Sequence, residues 1–143
     1  MRVQDFYPLI TVGDLAAQRA YYERVFEAQT LFEATWFLLM GLPGTDVDRP
    51  FLVAFMHPDH PSRPPGPEAF SGAGMILTVQ VEDAADAYAK ATAVGAVAIY
   101  GLADEPWGQR RFMLRDPAGV MIDVVEQIQP TDGYWARYGV SGA

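Results

Sequence analysis

The chain has no cysteine, and His57 and His60 are its only histidines. The first absence excludes disulfides, thiolate metal centres and a cysteine nucleophile, and suits a reducing compartment, so a cytoplasmic location is expected. Serine occurs only at Ser62, Ser71 and Ser141, all in loop or tail sequence, which leaves no setting for an organised serine triad. There is no glycine-rich phosphate loop, nucleophile elbow or His-Glu-x-x-His helix. Basic residues are outnumbered 10 to 18, and a net charge of −8 argues against a nucleic-acid partner, which needs a basic face. No apolar run approaches the roughly 18 residues of a membrane span. Met1-Arg2-Val3-Gln4-Asp5 opens no signal-peptide core, so no membrane partner is expected.

What remains is a chain of 143 residues, half of them hydrophobic, enough for one domain with a real core. Phe6–Val12 reads as a strand, and Asp14 caps a helix from Leu15 to about Glu27 that carries Leu15, Tyr22, Val25 and Phe26 on one face. Strands are predicted around Thr30–Glu33, Thr35–Met40 and Phe51–Met56. His57 to Glu68 is dense in proline and glycine and reads as irregular, with both histidines on an exposed loop. The pattern then restarts: strand Met75–Val81, cap Asp83, helix Ala84–Val94, and strands Val97–Tyr100, Arg110–Leu114 and Val120–Glu126. Val12-x-Asp14-x-Ala16 superposes on Val81-x-Asp83-x-Ala85 at an offset of 83 − 14 = 69 residues. One domain is therefore expected over 1–143, made of two modules, 5–57 and 74–127. A Pro-rich linker, 58–73, joins them and a C-terminal tail, 128–143, follows. The aromatic part of that tail, Gly133 to Tyr138, reads as a terminal helix packed on the body or a dimer partner, or as a lid.

The most informative stretch is Glu105-Pro-Trp-Gly-Gln-Arg-Arg-Phe-Met-Leu-Arg-Asp-Pro-Ala-Gly119 and the apolar run to Glu126. It reads as a loop, a strand, a tight Asp116-Pro117 turn closed by Gly119, and a second strand. Asp123, an acid among Met121, Ile122, Val124 and Val125, needs a wet cavity or a partner, because an unpaired buried carboxylate is costly. Alternation then sorts the side chains. If Tyr7 and Asp123 face a cavity, so do Leu9, Thr11, Met121 and Val125, while Phe6, Ile10, Ile122 and Val124 lie under the helices. Trp36, Leu38 and Met40 share one face, as do Phe51, Val53 and Phe55; either row could line the cavity or be plain core. Trp107 could stack on a planar or cationic ligand or pack the loop down. Arg111 and Arg115 share a face that Arg110 does not, and one of the three could pair with Asp123 or with a ligand carboxylate.

Two strand-helix-three-strand modules, with Pro-Trp-Gly-Gln-Arg-x-Phe-x-x-x-Asp-Pro-x-Gly before the last strand, resemble the vicinal oxygen chelate superfamily of glyoxalases, extradiol dioxygenases and bleomycin-resistance proteins. The resemblance implies an α+β fold: two βαβββ modules forming an open mixed-sheet half-barrel around one cavity, in a homodimer. In its metal-dependent members it also implies a histidine early in each module and a carboxylate in the last strand. Here the first histidine place is Tyr7, its counterpart is close to Ile76, strand Phe51–Met56 has no acid, and only Asp123 keeps the carboxylate. One acid and one phenol make a poor divalent site, so no cofactor and no catalytic metal are expected. The resemblance is therefore greatest to the bleomycin-resistance branch: a protein that binds a small aromatic or hydrophobic molecule through Tyr7, Trp36, Phe55, Trp107, Arg111, Met121 and Asp123. The alternatives are a lyase, isomerase or dioxygenase of the same superfamily, metal-dependent or with Asp123 as general base and Tyr7 as donor, and a non-catalytic structural module.

Overall fold

The computed structural model describes residues 1–142. The elements run β1 (Leu9–Thr11), α1 (Leu15–Phe26), β2 (Gln29–Glu33), β3 (Phe37–Leu42), β4 (Phe51–Met56), β5 (Ile76–Gln80), α2 (Ala84–Ala93), β6 (Tyr100–Glu105), β7 (Gln109–Arg115) and β8 (Met121–Gln127), then a 3-10 turn, Trp135–Tyr138. The fold is α+β: two mixed four-stranded sheets, each with one helix, in the βαβββ order read from the sequence. The chain divides into two compact units. The first is Met1–Gly74 together with Asp116–Val120; the second is Met75–Arg115 and the chain from Met121 onward.

Both units start their helix by the same device. Asp14 and Asp83 have nearly identical extended backbones, φ −137° and ψ 94° against φ −137° and ψ 101°. Each turns a carboxylate back onto the third amide ahead, Ala17 N and Asp86 N, both at 2.9 Å. Such a cap contributes about 1 kcal/mol and fixes where the helix begins. The strand orders also match, β1-β4-β3-β2 and β5-β8-β7-β6, with the first and last strands of each unit parallel and the other pairs antiparallel.

Register decides what lies under each helix. In the first unit, Ile10, Phe55 and Leu38 pair across three strands and are buried, and Phe55 meets Tyr22 of α1 with ring centroids 5.1 Å apart. In the second unit, Val79, Val124 and Phe112 form the corresponding row, and Phe112 meets Tyr88 of α2 at 5.1 Å. Ile122 and Val124 are thus core, as their parity predicts.

The structure corrects four local expectations. The first strand is Leu9–Thr11, not Phe6–Val12, because Pro8 has no amide to donate to a ladder; Phe6 is 89% exposed and is not core. The strand predicted at Val97–Tyr100 instead begins at Tyr100 and runs to Glu105, since the turn closed by Gly108 N on Glu105 O pairs Glu105 with Gln109 and sets the ladder from there. Trp36 sits in a bend before β3. His60 is not an exposed loop residue: the linker folds back over it, leaving it 3% exposed with Nε2 3.2 Å from Gly66 O. Among the described residues no helix is long and apolar enough to cross a membrane.

Candidate functional site

The β6–β7 hairpin and the tail build the frame of the site within the second unit. Its turn, Pro106-Trp107-Gly108, needs glycine at the third place: Gly108 has φ +108°, and a Cβ there would meet Ile128 O at 2.9 Å. The chain after β8 runs back along this turn, with Ile128 N donating to Gly108 O and Thr131 N to Pro106 O. Trp135 Nε1 donates to Trp107 O at 2.8 Å, and the Tyr134 ring lies 6.4 Å from that of Trp107. The aromatic tail therefore packs on the hairpin turn. The Trp107 indole is oriented from its other end by donating Nε1–H to Gln109 Oε1 at 2.9 Å.

Strand pairing sets the functional face opposite α2. Tyr100, Met113, Asp123 and Thr78 lie in one cross-strand row; Ala103, Arg111, Val125 and Gln80 lie in the next. Arg111 is thus a diagonal neighbour of Asp123, a separation that a long side chain spans. Its Nη1 lies 3.6 Å from Asp123 Oδ2 and its Nη2 3.7 Å from Glu105 Oε2. The guanidinium carbon also lies 5.0 Å from the Trp107 ring centroid and 5.2 Å from that of Tyr100. Tyr100 donates its hydroxyl to Glu105 Oε1 at 2.6 Å. One cation, two carboxylates and two aromatic rings therefore share one spot. Arg110, on the other face, forms a two-pronged pair with Asp104 at 2.6 and 3.0 Å.

Asp123 is 7% exposed, and its Oδ1 and the Arg111 Nε are both buried with no hydrogen-bond partner. Burial raises the Asp123 carboxyl above the ordinary carboxylate range; Arg111 opposes that rise and Glu105 adds to it. Hydrogen bonding to Glu105 raises the Tyr100 phenol, which stays a donor.

Of the residues expected to form the site, the structure brings together Trp107, Arg111 and Asp123, with Met121 half-buried on the same face of β8. Phe55 does not line a cavity; it is fully buried against Tyr22, because its strand parity is that of Ile10. Trp36 contacts the ring of Phe37 at 5.8 Å, and Tyr7 is exposed just before β1; both belong to the first unit and Asp123 to the second. A groove of about 670 Å³ in the first unit is lined by residues 3–6 and most of 45–52, and none of the expected site residues lines it. Tyr100 and Glu105 were not singled out from the sequence. The signal for them was the Pro-Trp-Gly turn: centring the hairpin on it pairs Glu105 with Gln109 and places Ala103 opposite Arg111. Among the described residues no group of three or more histidine, cysteine, aspartate or glutamate side chains could hold a metal ion.

The comparisons with known proteins agree on the fold. A family model described as the Glyoxalase/Bleomycin resistance protein/Dioxygenase superfamily matches residues 6–124. No curated protein sequence matches. Among solved structures, a glyoxalase/bleomycin resistance protein/dioxygenase from Nocardioides superposes with a TM-score of 0.71 at 18% identity, covering 90% of this chain and 86% of that one. A glyoxalase-related enzyme from Fulvimarina pelagi gives 0.68 at 18% identity, over 87% and 89% of the two chains. TioX from Micromonospora sp. ML1 gives 0.65 at 20% identity, over 88% and 100%. Likenesses of that identity carry the architecture alone, but the family model spans most of the chain, from the approach to β1 into β8, and on that ground the chain belongs to the glyoxalase/bleomycin resistance protein/dioxygenase superfamily.

Proposed function

We propose that this chain binds and sequesters a small aromatic or hydrophobic molecule on the Asp123 face of the second unit, without a catalytic metal, in the manner of bleomycin-resistance proteins. The supporting observation is the buried Asp123 Oδ1 that lacks a partner, in a carboxylate that shares the Arg111 guanidinium with the ring of Trp107. A buried acceptor without a donor is rare and marks a place where a ligand donor or a water completes the set. The donor chemistry does not fit a resident divalent ion: the two acids at this spot, Glu105 and Asp123, already flank the Arg111 guanidinium. Pairing into a homodimer is part of the proposal and is read by sedimentation.

A metal-free enzyme is the second reading, favoured by the raised Asp123 carboxyl, which suits a general base. The test is a ligand-stabilisation screen on chelator-treated protein with planar hydrophobic compounds. Binders stabilise the folded chain by mass action, by about 2.7 kcal/mol at a hundredfold excess over Kd, and so raise the melting temperature. The expected hit loses at least tenfold in affinity on Asp123→Asn. About one equivalent of tightly held divalent ion per chain, or hits that need added metal, would overturn the reading.

A further inference from the structure

The arrangement around Arg111 is that of a cage holding its own guest. Two rings, Tyr100 and Trp107, approach one guanidinium within 5.2 and 5.0 Å, the distance at which aromatic faces attract cations. Two carboxylates, Glu105 and Asp123, flank the same group. With both acids charged, the formal sum over this cluster is −2 + 1 = −1, so the arginine does not neutralise its surroundings. Nor does it satisfy them. A guanidinium carries five donors in a rigid fork and normally meets carboxylates at roughly 2.7–2.9 Å. Here the approaches are 3.6 and 3.7 Å, Arg111 Nε donates to nothing, and Asp123 Oδ1 accepts from nothing. The stem explains the poor fit. Arg111 is anchored on β7 between Ala103 and Val125, one row away from Asp123, and the tether keeps its head from closing on either acid.

The walls, by contrast, are fixed. Trp107 is held by Gln109 at its indole nitrogen and by Trp135 at its carbonyl, and Tyr100 is held by Glu105. A preorganised cage filled by an ill-fitting tethered cation favours a free cation that can centre itself. The geometry points to Arg111 as a displaceable internal occupant of a cation site formed by Tyr100, Glu105, Trp107 and Asp123, whose external ligands are organic cations of the guanidinium or alkylammonium class. This assignment deepens the proposed binding function and rests on the same face of the second unit. Arg111 swings out as the guest enters, and the guest takes the hydrogen-bonding place on Asp123 Oδ1.

The test uses calorimetry with propylguanidinium, and with propylurea as its neutral counterpart. Arg111→Ala is expected to bind propylguanidinium at least tenfold more tightly than wild type and to ignore propylurea. Adding Asp123→Asn to that variant should cost at least tenfold. A folded Arg111→Ala that takes the cation no better than wild type, or takes the urea equally well, overturns the assignment. Should Arg111→Ala not fold, wild-type protein is titrated with propylguanidinium while the Arg111 Nε–H resonance is followed, assigned by its loss in Arg111→Met. A saturable shift supports displacement and an unmoved resonance refutes it. Cation uptake by Arg111→Ala with no hydrophobic hit on wild type would remove the sequestration reading alone. Hydrophobic hits with no cation uptake would remove the cage alone.

Discussion

Tyr22 donates its hydroxyl hydrogen to Asp116 Oδ2 at 2.8 Å, across 94 residues of sequence. The same oxygen accepts from Gln18 Nε2 at 2.9 Å, and Oδ1 accepts from the amides of Ala118 and Val120 at 2.9 and 3.0 Å. Asp116, Gln18 and Tyr22 are all buried, so these bonds form out of competition with water. Asp116→Asn leaves one acceptor oxygen for four donors and should lower stability by about 3 kcal/mol; Tyr22→Phe, which removes one bond to a charged acceptor, should cost about 2 kcal/mol. Urea titrations read both, and the double variant should cost less than the sum, since the two share one bond.

The phenols of α1 make stability fall in alkali. Burial, reinforced by Asp116, pushes Tyr21 up to about 12 and Tyr22 further still. A folded pKa above the unfolded value of about 10 means that the folded chain retains a proton the unfolded chain gives up. The stabilisation is complete below pH 10 and is lost as pH rises above it, at about 1.4 kcal/mol per unit for each retained proton. Urea midpoints should hold from pH 8 to about 10 and fall from there to 11.5, and Tyr22→Phe should make the fall shallower.

Asp123 gives a slope of the same sign at acid pH. Its carboxyl is raised chiefly by burial, so between about pH 4, the ordinary carboxylate range, and the raised value the folded chain binds the extra proton. Its contribution is most favourable below that window and declines as pH climbs through it. Asp123→Asn should therefore be at least as stable as wild type at pH 7, with the difference closing as pH approaches 4. A variant markedly less stable at pH 7 would show that the Arg111 pairing outweighs the burial penalty.

Gly108→Ala should loosen the tail. The new methyl would lie 2.9 Å from Ile128 O and 3.2 Å from Pro130 N, on a backbone with φ +108°. The expected loss is about 1–3 kcal/mol. Limited proteolysis should cut after Arg137 sooner than in wild type, and the tryptophan emission should shift red as Trp135 leaves Trp107.

Much of this fold is legible in the sequence because it is written twice. Asp14 and Asp83 stand 69 residues apart and do the same capping work, and β4 matches its predicted bounds, Phe51–Met56. The site is legible only in part. Asp123 announces itself as an acid in an apolar strand, and Trp107 by its place in a tight turn. Glu105 and Tyr100 do not, because their roles depend on a hairpin register set by three residues, 106–108, and on the irregularity between Tyr100 and Ala103. Phe55 misleads for a simpler reason: an all-apolar strand such as Phe51–Met56 carries no polarity by which to tell its core face from its other face. His60 is hidden by a proline-rich loop whose path local composition does not encode.

The grouping of the Asp116–Val120 turn with the N-terminal unit has a consequence for synthesis. A ribosome that has released only the first 74 residues has not yet made the acid that Gln18 and Tyr22 require. The first half therefore leaves translation with an amide and a phenol seeking water, and it matures only when the far hairpin emerges. Severing the gene at Gly74 would yield a fragment short of its keystone, not an autonomous half.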